Sequence, residues 1–348
     1  MLILAVESSC DDTSVAVYHS QRGILSNVVS SQVKVHQEWG GVFPELAARE
    51  HTRNFLFVVD RALKDANIDL KEIDAVATTF CPGLIISLVV GVSGAKTIAY
   101  ILDKPLIPVH HIEAHIFANF IRKEQIDYPF IALVVSGGHT ELVLVRDFED
   151  YIYLGGTLDD AVGEVYDKVA RALGLEFPGG PIIDRLSKEG KESVKLPRPL
   201  IHDKEENRFN FSFSGLKSAT IREIQKGIYL KEDIAASFQN AAVEVLVKKS
   251  VDACQEFNVK SLVVAGGVSA NSRLREVLTK ECKKQGINLS IPPIYLCTDN
   301  AAMVAYTGYL RYMKTGRTVS YDFEALAKCR IDRFKEIFKT STCLSSYQ

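Results

Sequence analysis

The segment VHHIEAHIF, residues 109–117, places His111 and His115 four positions apart on a stretch that reads as a helix. Residues so spaced share one face, one turn apart, and two imidazoles there can hold one metal ion. Ordinary histidines on a helix beside the core are the competing reading. A zinc protease would need a carboxylate directly after the first histidine. Ile112 stands in that place, and the nearest carboxylate, Glu113, points about 160° away from the His111 side of a helix. The pair therefore lacks the general base that proteolysis needs. A third ligand could come from CTDNAAM, residues 297–303, where Asp299 sits at the start of a predicted helix. Taken alone, it reads first as a helix N-cap.

The remaining chemistry lies in small-residue turns. SGGH at 136–139 and AGGVSAN at 265–271 each place two glycines directly after a buried strand. Such turns let a ligand approach the backbone and present N–H groups to an anion, and the second also opens a helix. With ESSCDDT at 7–13 they suggest a nucleotide cleft. None of them matches a P-loop or GxGxxG. Asp11, Asp12, Asp167 and Asp184 are further carboxylates that read either as ligand-facing or as solvated.

Elements must bring these groups together. ILAVESSCDDTSVAVYH (3–19) and IALVVSGGHTELVLVRD (131–147) share one pattern of strand, tight turn and alternating strand. A hairpin repeated at that spacing predicts two related lobes around a shared cleft. The expected boundaries are 1–127 for the first lobe and 128–316 for the second, with an insertion at about 150–230. The tail, 317–348, is free to return to the first lobe. Helices are expected over 44–67, 86–102, 111–123, 159–173, 232–257, 272–285 and 299–314, with a loop-rich stretch over 175–215. The helix at 86–102 is apolar on most sides, which predicts burial.

Composition narrows the class. The chain has 348 residues, 47% hydrophobic and 24% charged, with a formal net charge of −2. It lacks the basic excess of a protein that binds nucleic acid alone, so such contact would rest on local patches or a helper. Candidate patches are Lys188, Lys191, Lys195 and Arg198, and Arg273, Arg275, Lys280, Lys283 and Lys284. The start carries no signal-peptide pattern, and Lys96 interrupts the longest apolar run, so no membrane span is expected. Seven cysteines without a CxxC predict neither a disulfide framework nor a cysteine zinc site, and suit a reducing cytoplasm.

ESSCDDT, HQEWGGVFPELAAREH (36–51), PVHHIEAH (108–115), LVVSGGHT (133–140), GEVYDKVARALGL (163–175), FPGGPIID (177–184), FNFSFSGLKSA (209–219), AGGVSANSRLR (265–275) and TDNAAM closely resemble the TsaD family of tRNA adenosine threonylcarbamoyltransferases. The resemblance runs in order from about residue 2 to 316, and the second and seventh segments look like its bacterial or organellar branch. It implies the α/β two-lobed fold of actin, Hsp70 and sugar kinases, with a duplicated core. It implies that His111, His115 and Asp299 hold iron or zinc. It further implies that Val134, Val135, Ser136, Gly137, Gly138, His139, Asp167, Gly180, Asp184 and Asn271 line a pocket for threonylcarbamoyl-AMP, with Ser9 and Asp11 in the first turn. The implied transfer needs a group to take a proton from the amine; Asp11 is the candidate, with turn-capping as its other reading. The implied partners are tRNA, a TsaB-type inactive paralogue on helices 44–67 and 86–102, a TsaE-type ATPase, and a TsaC/Sua5-type enzyme supplying the donor. The chain departs from the family where Cys81 replaces a usual glycine and Asp12 a usual glutamate. Alternatives carried by the same features are an ATP-dependent kinase or ATPase of that fold, a metalloprotease, and an actin-type scaffold.

Overall fold

The structure is a computed structural model describing residues 1–122 and 126–341, without the side chains of 339–341. It divides into two compact units, Met1–Lys123 with Asp299–Gln348, and Glu124–Thr298.

The first unit opens with three strands, β1 (Leu2–Glu7), β2 (Asp12–His19) and β3 (Gly23–Ser31), joined antiparallel. Helices α1 (Val33–Gln37) and α2 (Pro44–Ala66) follow, then β4 (Ala75–Cys81), α3 (Ile85–Leu102), β5 (Leu106–His110) and α4 (His111–Phe117). β4 pairs parallel with β1, and β5 parallel with β4, giving the order β3-β2-β1-β4-β5. β1 and β4 are buried almost throughout, without alternation, because helices cover the sheet.

The second unit repeats this plan. β6 (Phe130–Val135), β7 (Thr140–Asp147) and β8 (Asp150–Gly156) form the antiparallel meander. Helices α5 (Val162–Ala172), α6 (Gly179–Leu186), α7 (Ser214–Lys226) and α8 (Lys231–Glu256) come next. They are followed by β9 (Ser261–Ala265), α9 (Ser272–Gln285) and β10 (Asn288–Ser290). β9 pairs parallel with β6, and β10 with β9, so the order β10-β9-β6-β7-β8 reproduces that of the first sheet. The core hairpin is thus duplicated together with its third strand and its two parallel neighbours. α8 buries most of its length, including Phe238 and Leu246, against this sheet and its helices. At about 1.5–3 kcal/mol for each large apolar side chain, it is the unit's main packing element.

The chain then returns to the first unit as α10 (Ala301–Thr315) and α11 (Phe334–Ser341). The boundary expected near 316 therefore differs from the observed one at 298. The reason is α10, whose Ala301, Ala302 and Ala305 leave room for it to pack on β1 and β2. Its Gly308 lies so close to Ala77 that an added Cβ would meet that side chain at 2.7 Å.

Several local expectations change. α4 ends at Phe117 and continues as a single 3-10 turn, Ala118–Phe120; Lys123 lies outside the described residues. α5 starts at Val162 rather than Asp159, and the stretch 175–215 contains α6. α3 is not buried all round. It buries Ser87, Leu88, Gly91, Val92, Ala95 and Ala99, and exposes Val89, Tyr100 and Ile101. By length and composition it could cross a membrane, and among the described residues it alone meets that test. Here it packs on β4 and α2, where Gly94 abuts the Phe55 ring.

Candidate functional site

The strand β5 runs directly into α4, and His110 caps the junction by accepting the Ile112 N–H at 3.2 Å. Every residue of α4 is buried, so His111 and His115 present their rings inside the unit. The ring centroids are 4.6 Å apart at 80°. Asp299 reaches them from the start of α10, with its Oδ1 3.0 Å from His115 Nε2 and 3.7 Å from His111 Nε2. The sequence-expected trio is thus brought together, with one ligand atom from each residue within 4.8 Å of the others.

Asp299 is not the helix cap. Asn300 fills that role, its Oδ1 accepting the Met303 N–H at 3.1 Å. The next two amides donate to Ser14 Oγ at 2.8 Å and Asn27 Oδ1 at 3.1 Å, so β2 and β3 fasten the N-terminus of α10. Asp299 is left one residue outside the helix, where the dipole favours its charge.

Glu7, which the sequence reading passed over, completes the arrangement. Its Oε2 lies 3.1 Å from His111 Nδ1 and accepts the Thr79 hydroxyl at 2.7 Å, while its Oε1 accepts the Ser9 N–H at 2.5 Å. Ser9 Oγ also lies 3.1 Å from His111 Nδ1. An ionised carboxylate only accepts, so Nδ1 carries a proton and Nε2 faces Asp299. A carboxylate behind a histidine in this way orients metal-binding imidazoles. The signal for it was a carboxylate at the end of a buried strand.

The electrostatics follow from burial and crowding of charge. Burial works against charge on His111, but Asp299 and Glu7 overcome it and lift its pKa to about 9. His115 is lowered by burial and by His111. Burial would raise Glu7, yet His111 holds it below the usual range. Asp11 is raised by burial, with Asp299 adding to the effect. Asp12 is raised to about 7 by burial, then by Asp11 and Asp299. A knot of carboxylates that raise one another, beside a buried imidazole nitrogen without a partner (His115 Nδ1), suits a cation. Two imidazoles and one carboxylate form a donor set fit for zinc or iron. The residues could therefore hold a metal ion.

Glu113, whose direction argued against a protease, is buried in an ion pair with Arg311. It is committed to structure. The HQEWGG…REH segment also proves to be scaffolding for the first turn. His51 Nδ1 lies 2.7 Å from Thr13 Oγ1, its Nε2 lies 3.0 Å from the Cys10 carbonyl, and His36 accepts the Phe43 N–H at 3.3 Å. Cys81, in place of glycine, adopts no left-handed backbone, so its side chain is accommodated.

In the second unit, β6 delivers the Ser136–Gly138 turn. Nothing lies within 4 Å of where a Cβ would sit on Gly137 or Gly138, and both are exposed. Ser136 Oγ accepts the His139 N–H at 3.1 Å, and the Ser136 carbonyl accepts the Gly163 N–H at 3.2 Å. The turn therefore keeps its shape while offering open backbone. Val134 and Val135 are wholly buried, so any ligand contact from them would be through the main chain. Asp167 accepts the Gly179 N–H at 2.7 Å, which sets the start of α6 beside the open Gly180. Asp184 accepts the Ser272 hydroxyl at 2.9 Å and its N–H. Asn271 caps α9 through Leu274 N–H at 2.9 Å and donates to Gln239 at 2.7 Å. Asp167, Asp184 and Asn271 thus each have a structural duty. Asp159, also unmarked in the sequence, gathers Ser212, Ser214 and the Phe213 N–H and so anchors the FSFSG segment.

The expected basic patches are partly neutralised. Arg198 pairs with Glu244, Arg273 with Glu192 and Glu276, and Arg275 donates to the Ser269 and Pro292 carbonyls.

Known proteins resemble this chain over most of its length. The profile described as TsaD, tRNA N6-adenosine threonylcarbamoyltransferase, matches residues 23–306. A protein of that description from Persephonella marina is 66% identical over 345 residues, covering 99% of this chain and 100% of its own length. One from a Sulfurihydrogenibium species is 68% identical over 340 residues, covering 98% and 99%. Among solved structures, full-length HypF in its phosphate- and nucleotide-bound form aligns with a TM-score of 0.63 at 16% identity, over 91% of this chain and 56% of that one. That likeness bears on the fold alone, and with the duplicated sheets it places the chain in the actin, Hsp70 and sugar-kinase class. With most of its length matched by the family profile and near-full-length relatives at two-thirds identity, this chain belongs to the TsaD family of tRNA N6-adenosine threonylcarbamoyltransferases.

Proposed function

We propose that this protein transfers the threonylcarbamoyl group of threonylcarbamoyl-AMP to the exocyclic amine of the adenosine beside the anticodon of tRNAs that read codons beginning with A. Near-full-length identity to relatives of that described activity carries the reading. The N6 nitrogen attacks the carbamoyl carbon, the bond to AMP breaks, and the amine gives up one proton. AMP is a good leaving group, but an aromatic amine is a weak nucleophile. The protein must therefore position both partners, which is worth several kcal/mol of the barrier.

His111, His115 and Asp299 would hold iron or zinc, which when bound supplies a Lewis acid for donor oxygens. Glu7 fixes the tautomer and orientation of His111. The exposed backbone at Gly137 and Gly138, with no neighbour where a side chain would stand, leaves room for phosphate or carbamoyl oxygens, with Ser136 and His139 shaping the turn. Gly180, Asp167, Asp184 and Asn271 would form the wall around the adenylate, with Val134 and Val135 contributing main chain. Ser9 belongs with the first turn. Asp11 takes the proton from the amine, since its raised pKa makes it a better base near neutrality. An anticodon loop presents its base at small unstacking cost.

The protein partners follow the same reading. A TsaB-type paralogue would dock on α2 and α3, which expose Leu56, Phe57, Tyr100 and Ile101. A TsaE-type ATPase would act on the assembly, and a TsaC/Sua5-type enzyme would supply the donor.

The test is transfer of labelled threonylcarbamoyl from its adenylate to tRNA with the partner proteins present. Changing His111→Ala or Asp299→Ala should lower the rate by more than about a hundredfold, since a Lewis acid supplies several kcal/mol. An unchanged rate in both variants would end the metal-assisted reading.

A further inference from the structure

A second group of soft ligands lies in the first unit, made of residues other than the His111 trio. Cys81 at the end of β4, His110 at the end of β5 and Cys329 in the returning tail place one ligand atom each within 4.8 Å of the others. The main chain around them is pinned. Leu326 N–H donates to the Phe80 carbonyl at 2.9 Å, and Gly83 N–H to the Ala327 carbonyl at 3.2 Å. The tail therefore runs alongside residues 80–83, and the two sulfurs face each other across that ladder. His110 is engaged elsewhere, with its Nε2 on the Cys329 carbonyl at 3.0 Å and its Nδ1 on the Ile112 N–H. A metal would have to break one of these bonds, whereas a sulfur–sulfur bond needs neither.

We propose that Cys81 and Cys329 form a reversible disulfide that fastens the C-terminal return to the β4 edge. Cys81 is fully buried and Cys329 half-buried, so a small oxidant reaches Cys329 first. The neighbouring Cys81 thiol holds the Cys329 thiol below its usual range, which favours the attacking thiolate there. Cys329 attacks one sulfur of a low-molecular-weight disulfide such as glutathione disulfide and expels one small thiol. Cys81 then attacks Cys329 and expels the second. The protein loses two thiol hydrogens and an electron pair, and the two small thiols carry them away.

The location gives the bond a consequence. Residues 81–84 lead to the Leu84 N–H, which donates to the Ser9 carbonyl at 2.8 Å, and Ser9 touches His111. The bond would also close a loop containing the whole second unit, and long closed loops restrict the unfolded chain most.

The experiment equilibrates the purified full-length protein with glutathione disulfide, then measures intact mass, maps linked peptides and records thermal unfolding. The expected result is loss of two hydrogens, one linked peptide pair containing Cys81 and Cys329, and a higher unfolding midpoint that dithiothreitol reverses. The Cys329→Ser variant, at a half-buried position that tolerates serine, should show none of these. A stable glutathione adduct on Cys329, or a link through any other cysteine, would overturn the proposal. So would zinc bound one-to-one by the His111→Ala, Asp299→Ala double variant and lost on adding Cys329→Ser, because the cysteines would then serve a metal.

Discussion

Glu7 shows how a residue away from the ligand trio can govern it. Its carboxylate lies behind His111 and keeps Nε2 turned toward Asp299. The Glu7→Gln variant should bind zinc or iron on the order of 10–100-fold more weakly, read by competition with a chromophoric chelator. Unchanged affinity would assign Glu7 to packing alone. A metal must displace the proton that Asp299 and Glu7 hold on His111. Affinity should therefore climb with pH up to about 9 and level off above it. In Glu7→Gln the plateau should begin at lower pH, because one of the two anions that raise His111 is gone.

Two elements depend on contacts that can be tested singly. Gly266 follows β9 at φ +89°, and a Cβ there would meet the Val135 carbonyl oxygen at 2.3 Å. Gly266→Ala should cost at least about 2 kcal/mol in urea unfolding, from left-handed strain together with the clash. A smaller loss would mean that the β6–β9 junction relaxes freely. Asp159 holds the start of α7 by four hydrogen bonds. Burial would raise its pKa, but the Ser212 and Ser214 hydroxyls and the backbone amides bring it below the usual value. A depressed carboxylate contributes stability above its unfolded pKa of about 3.9, lost as pH falls through the folded value. Acid below about pH 4 should thus release the 211–226 segment first, seen as faster amide exchange there. Asp159→Asn should show that faster exchange already at neutral pH, with less further change on acidification.

For the molecule as a whole, the outer faces of α2 and α3 carry the proposed assembly. Leu56 and Phe57 are 73% and 76% exposed, on a helix whose opposite face is packed. The double change Leu56→Asp, Phe57→Asp should leave the circular dichroism spectrum and unfolding midpoint intact while weakening association with the paralogue at least about tenfold in sedimentation, a loss of about 1.4 kcal/mol. Undiminished association would place the paralogue elsewhere.

The sequence by itself determined the hairpin repeat, the family, the His111–His115 pair and the lack of a protease base beside it. Each is a matter of residue type at a short, regular spacing, which local periodicity and motif order reveal. Only the tertiary structure decided the partnerships of residues remote in sequence. It showed that Glu7 backs His111, that Asn300 rather than Asp299 caps α10, and that Asp167, Asp184 and Asn271 each carry a structural bond. It also returned α10 to the first unit, because small side chains allow it to lie close on β1 and β2. It divided α3 into a packed face and an exposed one, which a helix apolar on most sides could not reveal. Such contacts depend on which side chains meet after long loops close, and no local pattern records that meeting.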